Sequence, residues 1–370
     1  MLTFATRTWD GWDYIPDVWD RWLAAADGVL LVAAVGGAAA VDADGSPLEE
    51  GQPVAVTRLV MLSEDECWLE GIRVDPRVRG MNVATDLQVA ELRWAVAHGM
   101  RVIRYATGQD NEGSHRLGAR HGITLLGAWL SYGVDDEDEE IPPAASAAAV
   151  RPGLATVAES DADRWWARVV SHPTLRAGHG LYERRPWAMQ ELTEERFRGH
   201  VARGQVTVWP GTAAVGGAGA GPSAGAASAG AAAANAVATS GAGAGSSPAD
   251  SPWALAIARD EGWGDEDPLL PASPALLIGD GRASLELLRA MSGGRPGVPR
   301  VRLPAVDPPI LDAGTLSAWT DAGWKPRDGA LHILSRALDA SHPLPEPEDT
   351  SLLEMEDEPR PIAVPWSPPQ

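Results

Sequence analysis

At 370 residues and 45% hydrophobic content the chain is long enough to bury more than one core, and length alone suggests two domains. A formal charge of -21 argues against nucleic acid and anionic membranes as partners, because a repulsive global field opposes both. Cys67 is the sole cysteine, which excludes an intrachain disulfide and a cysteine-based metal cluster.

YIPDVWDRWL at 14–23 is an aromatic-rich segment, with Tyr14, Trp19 and Trp22 placed either to line a pocket or to form helix core. LLVAAVGGAAAVDADG at 30–45 and PVAVTRLVMLS at 53–63 read as strands joined by Gly-rich or acidic turns. A buried strand follows in ECWLEGIRV: Cys67, Leu69 and Ile72–Val74 supply its apolar character, and Asp75-Pro76 stops it. Arg77, Arg79 and Gly80 then crowd a turn before a helical pattern at Val83, Leu87, Ala90 and Val96. Free backbone N–H groups at such a helix start, beside two guanidinium groups, form a site for a phosphate or pyrophosphate.

MRVIRYATG at 100–108 is a further strand, and DDEDEEIPPAASAA opens an acidic linker over 135–150. The region 151–338 ends in a strand–loop–helix at 275–291, a strand at 298–306, a helix at 310–324 and a strand at 330–338. That order repeats the first region. Within it, 211–251 is Gly/Ala/Ser low complexity and reads as a flexible insertion. The Pro-rich, acidic tail 339–370 reads as disordered. No apolar run approaches bilayer length unbroken, and the start lacks the features of a secretory signal, so a soluble, cytoplasmic protein is expected.

VDPRVRGMNVATDL resembles the acetyl-CoA loop of the GNAT family of N-acetyltransferases. The pattern Arg/Gln-x-x-Gly-x-Gly/Ala falls on Arg79, Gly80, Met81, Asn82, Val83 and Ala84, with Asn82 where the family usually has its second Gly. Asn tolerates positive φ better than most residues. A second block, Asn111, Ser114, Leu117, Arg120, Gly122 and Ile123, is similar to the family's N-x-x-A/S-x-x-L-x-x-K/R-x-G-F/I. The aromatic segment and the Leu-Glu-Gly strand narrow the resemblance to the histidine N-acetyltransferase-like group, over residues 1–133.

The resemblance implies an α/β fold, the GNAT acyl-CoA N-acyltransferase fold with a mixed sheet flanked by helices, in a first domain at 1–134. It implies acetyl-CoA as acyl donor, no metal, and a small-molecule amine or amino acid such as histidine as acceptor. Donor contacts are expected from the backbone of Ile72, Arg73 and Val74, from the loop Arg79–Ala84, and from Asn111. Glu66 and Glu70 are the candidate bases, two turns of the pleat apart on one strand face. Gly118 stands at the family's general-acid Tyr, leaving Tyr105, Tyr132 or a water to serve. His98, His115 and His121 lack metal-ligand spacing and read as structural or exposed.

The region 151–338 is expected to be a degenerate GNAT-like domain or another α/β domain. Gly279, Asp280, Gly281 and Arg282 there put an acid where a pyrophosphate would sit. The alternative to an enzyme is a catalytically inactive GNAT-fold protein that binds CoA or serves interaction.

Overall fold

The computed structural model describes residues 4–5, 8, 12–36, 40–42, 44–133, 154–209, 252–259, 273–292, 300–307 and 309–338. The linker 135–150, the insertion 211–251 and the tail 339–370 lie outside the described residues.

The chain opens with α1 (Ile15–Ala24), β1 (Gly28–Ala34), β2 (Pro53–Met61) and β3 (Glu66–Val74). Next come α2 (Val83–Ala97), β4 (Val102–Gly108), α3 (Glu112–Arg120) and β5 (Thr124–Gly133). The second half begins with β6 (Ala155–Thr156), α4 (Ala162–Ser171), α5 (Pro173–Ala177), β7 (Leu181–Arg185), β8 (Ala188–Glu191) and α6 (Glu194–Ala202). It continues through β9 (Val206–Trp209), β10 (Ala254–Ala258), β11 (Pro274–Gly279), α7 (Gly281–Ser292), β12 (Val301–Pro304), α8 (Ala313–Asp321) and β13 (Lys325–Ala337). This is a mixed α/β fold with helices flanking sheet.

Two compact units result: Met1–Ile103 with Arg116–Ile123 and Arg336–Gln370, and Arg104–His115 with Thr124–Ser335. In the first unit β1, β2 and β3 form an antiparallel run, with Leu59 opposite Leu69 and Val60 opposite Trp68. Both strand faces are covered, so β2 is buried from Val54 to Val60 and reads as a continuous apolar run instead of an alternating one. The register slips between Val56 and Arg58, where β3 carries Gly71 at φ 71. That slip is a β-bulge, and bulges bend a strand and re-aim its side chains.

α1 is started by Asp13, whose Oδ1 accepts from Ile15 N at 3.0 Å, and by Pro16 in its first turn. Its buried face is Ile15, Val18 and Trp22, at helical spacing. Trp22 is therefore core, as one of the two readings of the aromatic segment has it. α2 buries Leu87, Gln88, Glu91, Leu92 and Ala95, whereas Val96 of the expected stripe is exposed. Two polar side chains face inward here, and Thr57 Oγ1 donates to Glu91 Oε1 at 2.6 Å.

In the second unit the strands lie in the order β4-β13-β5-β12. Trp129 of β5 pairs with Leu331 of β13 on one side and Pro304 of β12 on the other. A separate sheet runs β11-β10-β9-β6, and Trp209 pairs with Ala254 where the chain leaves and rejoins it. Phe197, Trp165, Val169, Leu255 and Ile278 fill one core of this unit. Trp319, Leu287, Leu288 and Trp324 fill another. The segment 154–209, for which the sequence offered no elements, holds α4, α5, β7, β8, α6 and β9.

Candidate active site

In the first unit β3 runs into a 3-10 turn (Pro76–Val78) capped by Asp75, whose side chain accepts from Arg77 N. The Arg77 guanidinium also grips Asp75, with Nη2 to Oδ2 at 2.7 Å. The hydrogen bonds from Arg77 hold the Asp75 carboxyl below its usual range against a smaller opposing effect of burial. Arg79, two residues on, is exposed.

Gly80 follows at φ 81 and Asn82 at φ 63. These are the left-handed positions of the turn, two residues apart. Asn82 adopts the conformation required of the Gly it replaces. A β-carbon on Gly80 would meet nothing within 4 Å, so the loop is open on that side. Asn82 is also the N-cap of α2 and makes no side-chain cap hydrogen bond. The first α-helical acceptance is Asp86 N to Asn82 O, which leaves the amides of Val83, Ala84 and Thr85 ahead of the helical ladder. Positive φ at 80 and 82, uncapped amides and an exposed Arg79 fit the phosphates of an acyl-CoA.

The corresponding turn of the second unit is closed by the chain itself. Asp280 Oδ1 accepts from Arg282 N and from Ala283 N, both at 3.1 Å. A carboxylate thus sits at the start of α7 where an external anion would lie.

Beside the β3 bulge, Glu70 is paired with Arg58, and the same guanidinium reaches Asp27. Arg58 is buried and lies 5.5 Å from the Trp22 ring. Glu70 keeps 21% side-chain exposure. Arg73 clasps Asp13, with Nε to Oδ2 at 2.6 Å and Nη2 to Oδ1 at 3.1 Å. The Asp13 carboxyl is fully buried, which raises its pKa, but Arg73, Thr8 and the Ile15 N–H outweigh burial and hold it below the usual range. Tyr14 lies 5.3 Å from the Arg73 guanidinium, and burial pushes its hydroxyl well above the ordinary phenol value.

Glu66 is wholly buried at the other end of β3, where its backbone closes the β2–β3 turn through Leu62 N and Ser63 N. Gly71 lies five positions further along the strand, roughly 16 Å at the usual rise. Among the donor residues expected from the sequence, Ile72, Arg73 and Val74 lie just past the bulge, on the stretch of β3 that leads into the loop. The side chain of Arg73 is committed to Asp13.

In the second unit Asn111 caps α3, its Oδ1 accepting from Ser114 N at 3.1 Å. Tyr105 donates its hydroxyl to Ser114 O at 2.8 Å. Tyr132 packs in the core against Trp319, and burial raises its hydroxyl pKa. His115 meets His332 of β13, Nε2 to Nδ1 at 3.3 Å, while burial, then His115, lowers the pKa of His332. In the first unit His98 is exposed and stacks on Trp94, and His121 is buried. Among the described residues no group of three or more His, Cys, Asp or Glu side chains is placed to hold a metal ion. Nor is any helix long and apolar enough to cross a membrane.

Sequence reasoning passed over Arg58, Asp27 and Asp13. The arginine inside the apolar run PVAVTRLVM was the available signal, since a charge on a doubly covered strand needs a partner.

Residues 12–123 match the family model described as Acetyltransferase (GNAT) family. Over those residues the chain is similar to acetyltransferases of that family. The family binds acetyl-CoA. Among solved structures, a GCN5-related N-acetyltransferase from Sphaerobacter thermophilus is 13% identical, with 91% of this chain and 90% of that one covered and a TM-score of 0.46. A tandem GNAT protein from the clavulanic acid biosynthesis pathway is 9% identical over 79% of this chain and 82% of that one, with a TM-score of 0.36. No curated protein matches the chain.

Proposed function

We propose that the chain transfers acetyl from acetyl-CoA to the amine of a small acceptor, with an amino acid such as histidine as the first candidate. The observation that carries this is the turn after β3: Gly80 and Asn82 both left-handed, opening an uncapped α2, directly downstream of a bulged strand that bears Glu70. Arg79, Gly80, Met81, Asn82, Val83 and Ala84 would bind the donor's phosphates, and the backbone of Ile72, Arg73 and Val74 its pantetheine arm. Acetyl-CoA supplies an activated thioester.

The chain's own residues would supply orientation and proton removal. Glu70 is the preferred base because it adjoins the bulge, whereas Glu66 is buried at the far end of the strand. Pairing with Arg58 fixes the direction of the Glu70 carboxylate. The region 151–338 is read as a second GNAT-like domain without a donor site, since Asp280 already fills the anion position at α7.

The test is incubation of the purified chain with acetyl-CoA and a panel of amino acids and amines, following release of free thiol. Turnover with at least one amine is expected, with Glu70→Gln slower by about 10²–10⁴ at pH 7 and unchanged in acetyl-CoA affinity. A strong loss from Glu66→Gln with Glu70→Gln silent transfers the role to Glu66. Acetyl-CoA binding without turnover on any amine leaves a binding protein.

A further inference from the structure

His115 and His332 meet within the second unit from 217 positions apart, a separation at which no local spacing in the sequence could have paired them. His115 stands in the first turn of α3, where its backbone N–H donates to Asn111 O at 3.1 Å and Asn111 Oδ1 caps Ser114 N. His332 stands on β13 opposite Ala128 of β5. The loop that leads into α3 is tied to β13 two residues away, with Gln109 N donating to Ala330 O at 3.0 Å and Ala330 N donating to Gln109 Oε1 at 3.2 Å. These bonds hold the two rings together before any ligand arrives.

His115 Nε2 and His332 Nδ1 lie 3.3 Å apart, beyond the usual hydrogen-bond range of about 2.7–3.2 Å. The ring planes cross at 81° with centroids 5.1 Å apart. Rings meeting nose to nose across that gap would hold their centroids roughly 5.6 Å apart, so the two nitrogens are not aimed squarely at each other. As a hydrogen bond the contact is long and bent. As a chelate it fits, because two imidazoles on one tetrahedral zinc ion, at about 2.0–2.1 Å each, hold their nitrogens about 3.3–3.4 Å apart. Both side chains are half-buried and open to solvent on one side. Asp110, exposed in the turn ahead of α3, acts electrostatically on His332 and offsets part of a cation's charge.

We propose that His115 and His332 chelate one divalent transition-metal ion of the zinc type, with water in its remaining positions. An imidazole pair selects zinc, nickel or copper over magnesium and calcium, which take oxygen donors. Among the described residues no third His, Cys, Asp or Glu joins the pair, so the site is open, unlike the closed four-ligand sites of structural zinc. Binding leaves both facing nitrogens without hydrogen. The proton between them moves to the outer nitrogen of its own ring, Nδ1 of His115 or Nε2 of His332, and the ion takes its place. The ion fixes the first turn of α3 to β13 and stabilises the chain by binding the folded form. The site does not rest on the acetyl-transfer reading.

Calorimetric titration of the full, untagged chain with zinc chloride tests it, with magnesium chloride as the control. One zinc ion per chain is expected, with magnesium silent and a melting temperature that rises with zinc. His115→Gln and His332→Gln keep a hydrogen-bonding group at each place, and each should weaken zinc at least about tenfold and remove most of the thermal gain. Combining them should add little, because one ion is held by both rings. His98→Gln alters an exposed histidine outside the pair and should bind zinc as the parent does. No saturable heat with zinc overturns the proposal, as does equal binding of magnesium. Undiminished zinc affinity in either folded single variant does the same, as does an equal loss in His98→Gln.

Discussion

Gly71 lies edge-on against Trp22: a β-carbon at Gly71 would overlap the indole and stand 2.9 Å from Ile15 Cδ1. The missing side chain lets α1 seat directly on the bulge of β3. Positive φ and this contact both demand glycine at the position. Gly71→Ala should therefore cost roughly 2–4 kcal/mol by urea unfolding, combining backbone strain with overpacking. Trimming the ring with Trp22→Phe in the same chain should recover part of the loss. A cost below about 0.5 kcal/mol would mean that α1 is free to move off the bulge.

Glu91 links stability to pH. Burial pushes its carboxyl up to about 8, with the Thr57 hydrogen bond opposing. A carboxyl whose folded pKa lies above the unfolded value near 4.5 binds more protons when folded between those two values, so stability falls as pH rises through that window. Glu91→Gln keeps an acceptor for Thr57 and cannot ionise. The variant should gain on the parent progressively from pH 5 to pH 8, by roughly 1–4 kcal/mol at the upper end. Parallel stability curves for the two proteins across that range would place a neutralising partner beside Glu91.

Arg79 is exposed, so its replacement separates binding from folding. Arg79→Ala should leave the melting temperature within about 1 °C while weakening acetyl-CoA by roughly 1–3 kcal/mol, the scale of a charge-assisted contact left unmade. Calorimetry with unchanged affinity would remove this side chain from the donor site.

The stretch 211–251 departs from Trp209 and returns to its cross-strand partner Ala254. Two paired residues are bridged by a short turn as readily as by a long segment, since closure entropy changes slowly with length. Replacing 211–251 with a short Gly/Ser turn should keep the melting temperature within a few degrees and leave turnover intact. A larger drop would show that the segment packs.

Much of the first unit was legible because its signals are local. Asp75-Pro76 ends β3, apolar strand runs mark β2 and β3, and the Gly80/Asn82 pair announces a left-handed turn without any partner being known. The ion pairs around the candidate base were not legible. Arg58 meets Glu70 only through the β2–β3 register, and Arg73 meets Asp13 across 60 positions. Polarity misled the reading of α2, where Gln88 and Glu91 belong to the buried face and Val96 does not. In 154–209 the elements are short, β6 having two residues and β9 four, too few to establish a period. Trp187 at a glycine-type turn position broke the rule by which turns are read.

A chain ending at residue 134 should fail to form the second unit's sheet, because β5 loses both its neighbours, β13 and β12. Such a fragment is expected to be insoluble or to unfold without cooperativity in a thermal melt. A soluble fragment with a sharp transition would show that β5 is dispensable.

The same strand order sets a timetable for synthesis. β5 ends at Gly133 and β13 starts at Lys325, so at about 5–20 residues per second the place between β4 and β5 stays vacant on the ribosome for roughly 10–40 s. Until β12 and β13 are made, the nascent chain offers one open edge of β4 and both edges of β5 to any other nascent chain of the same kind. Slower initiation, which spaces ribosomes along the message, should then raise the soluble yield more than a lower temperature that only slows elongation and lengthens the wait.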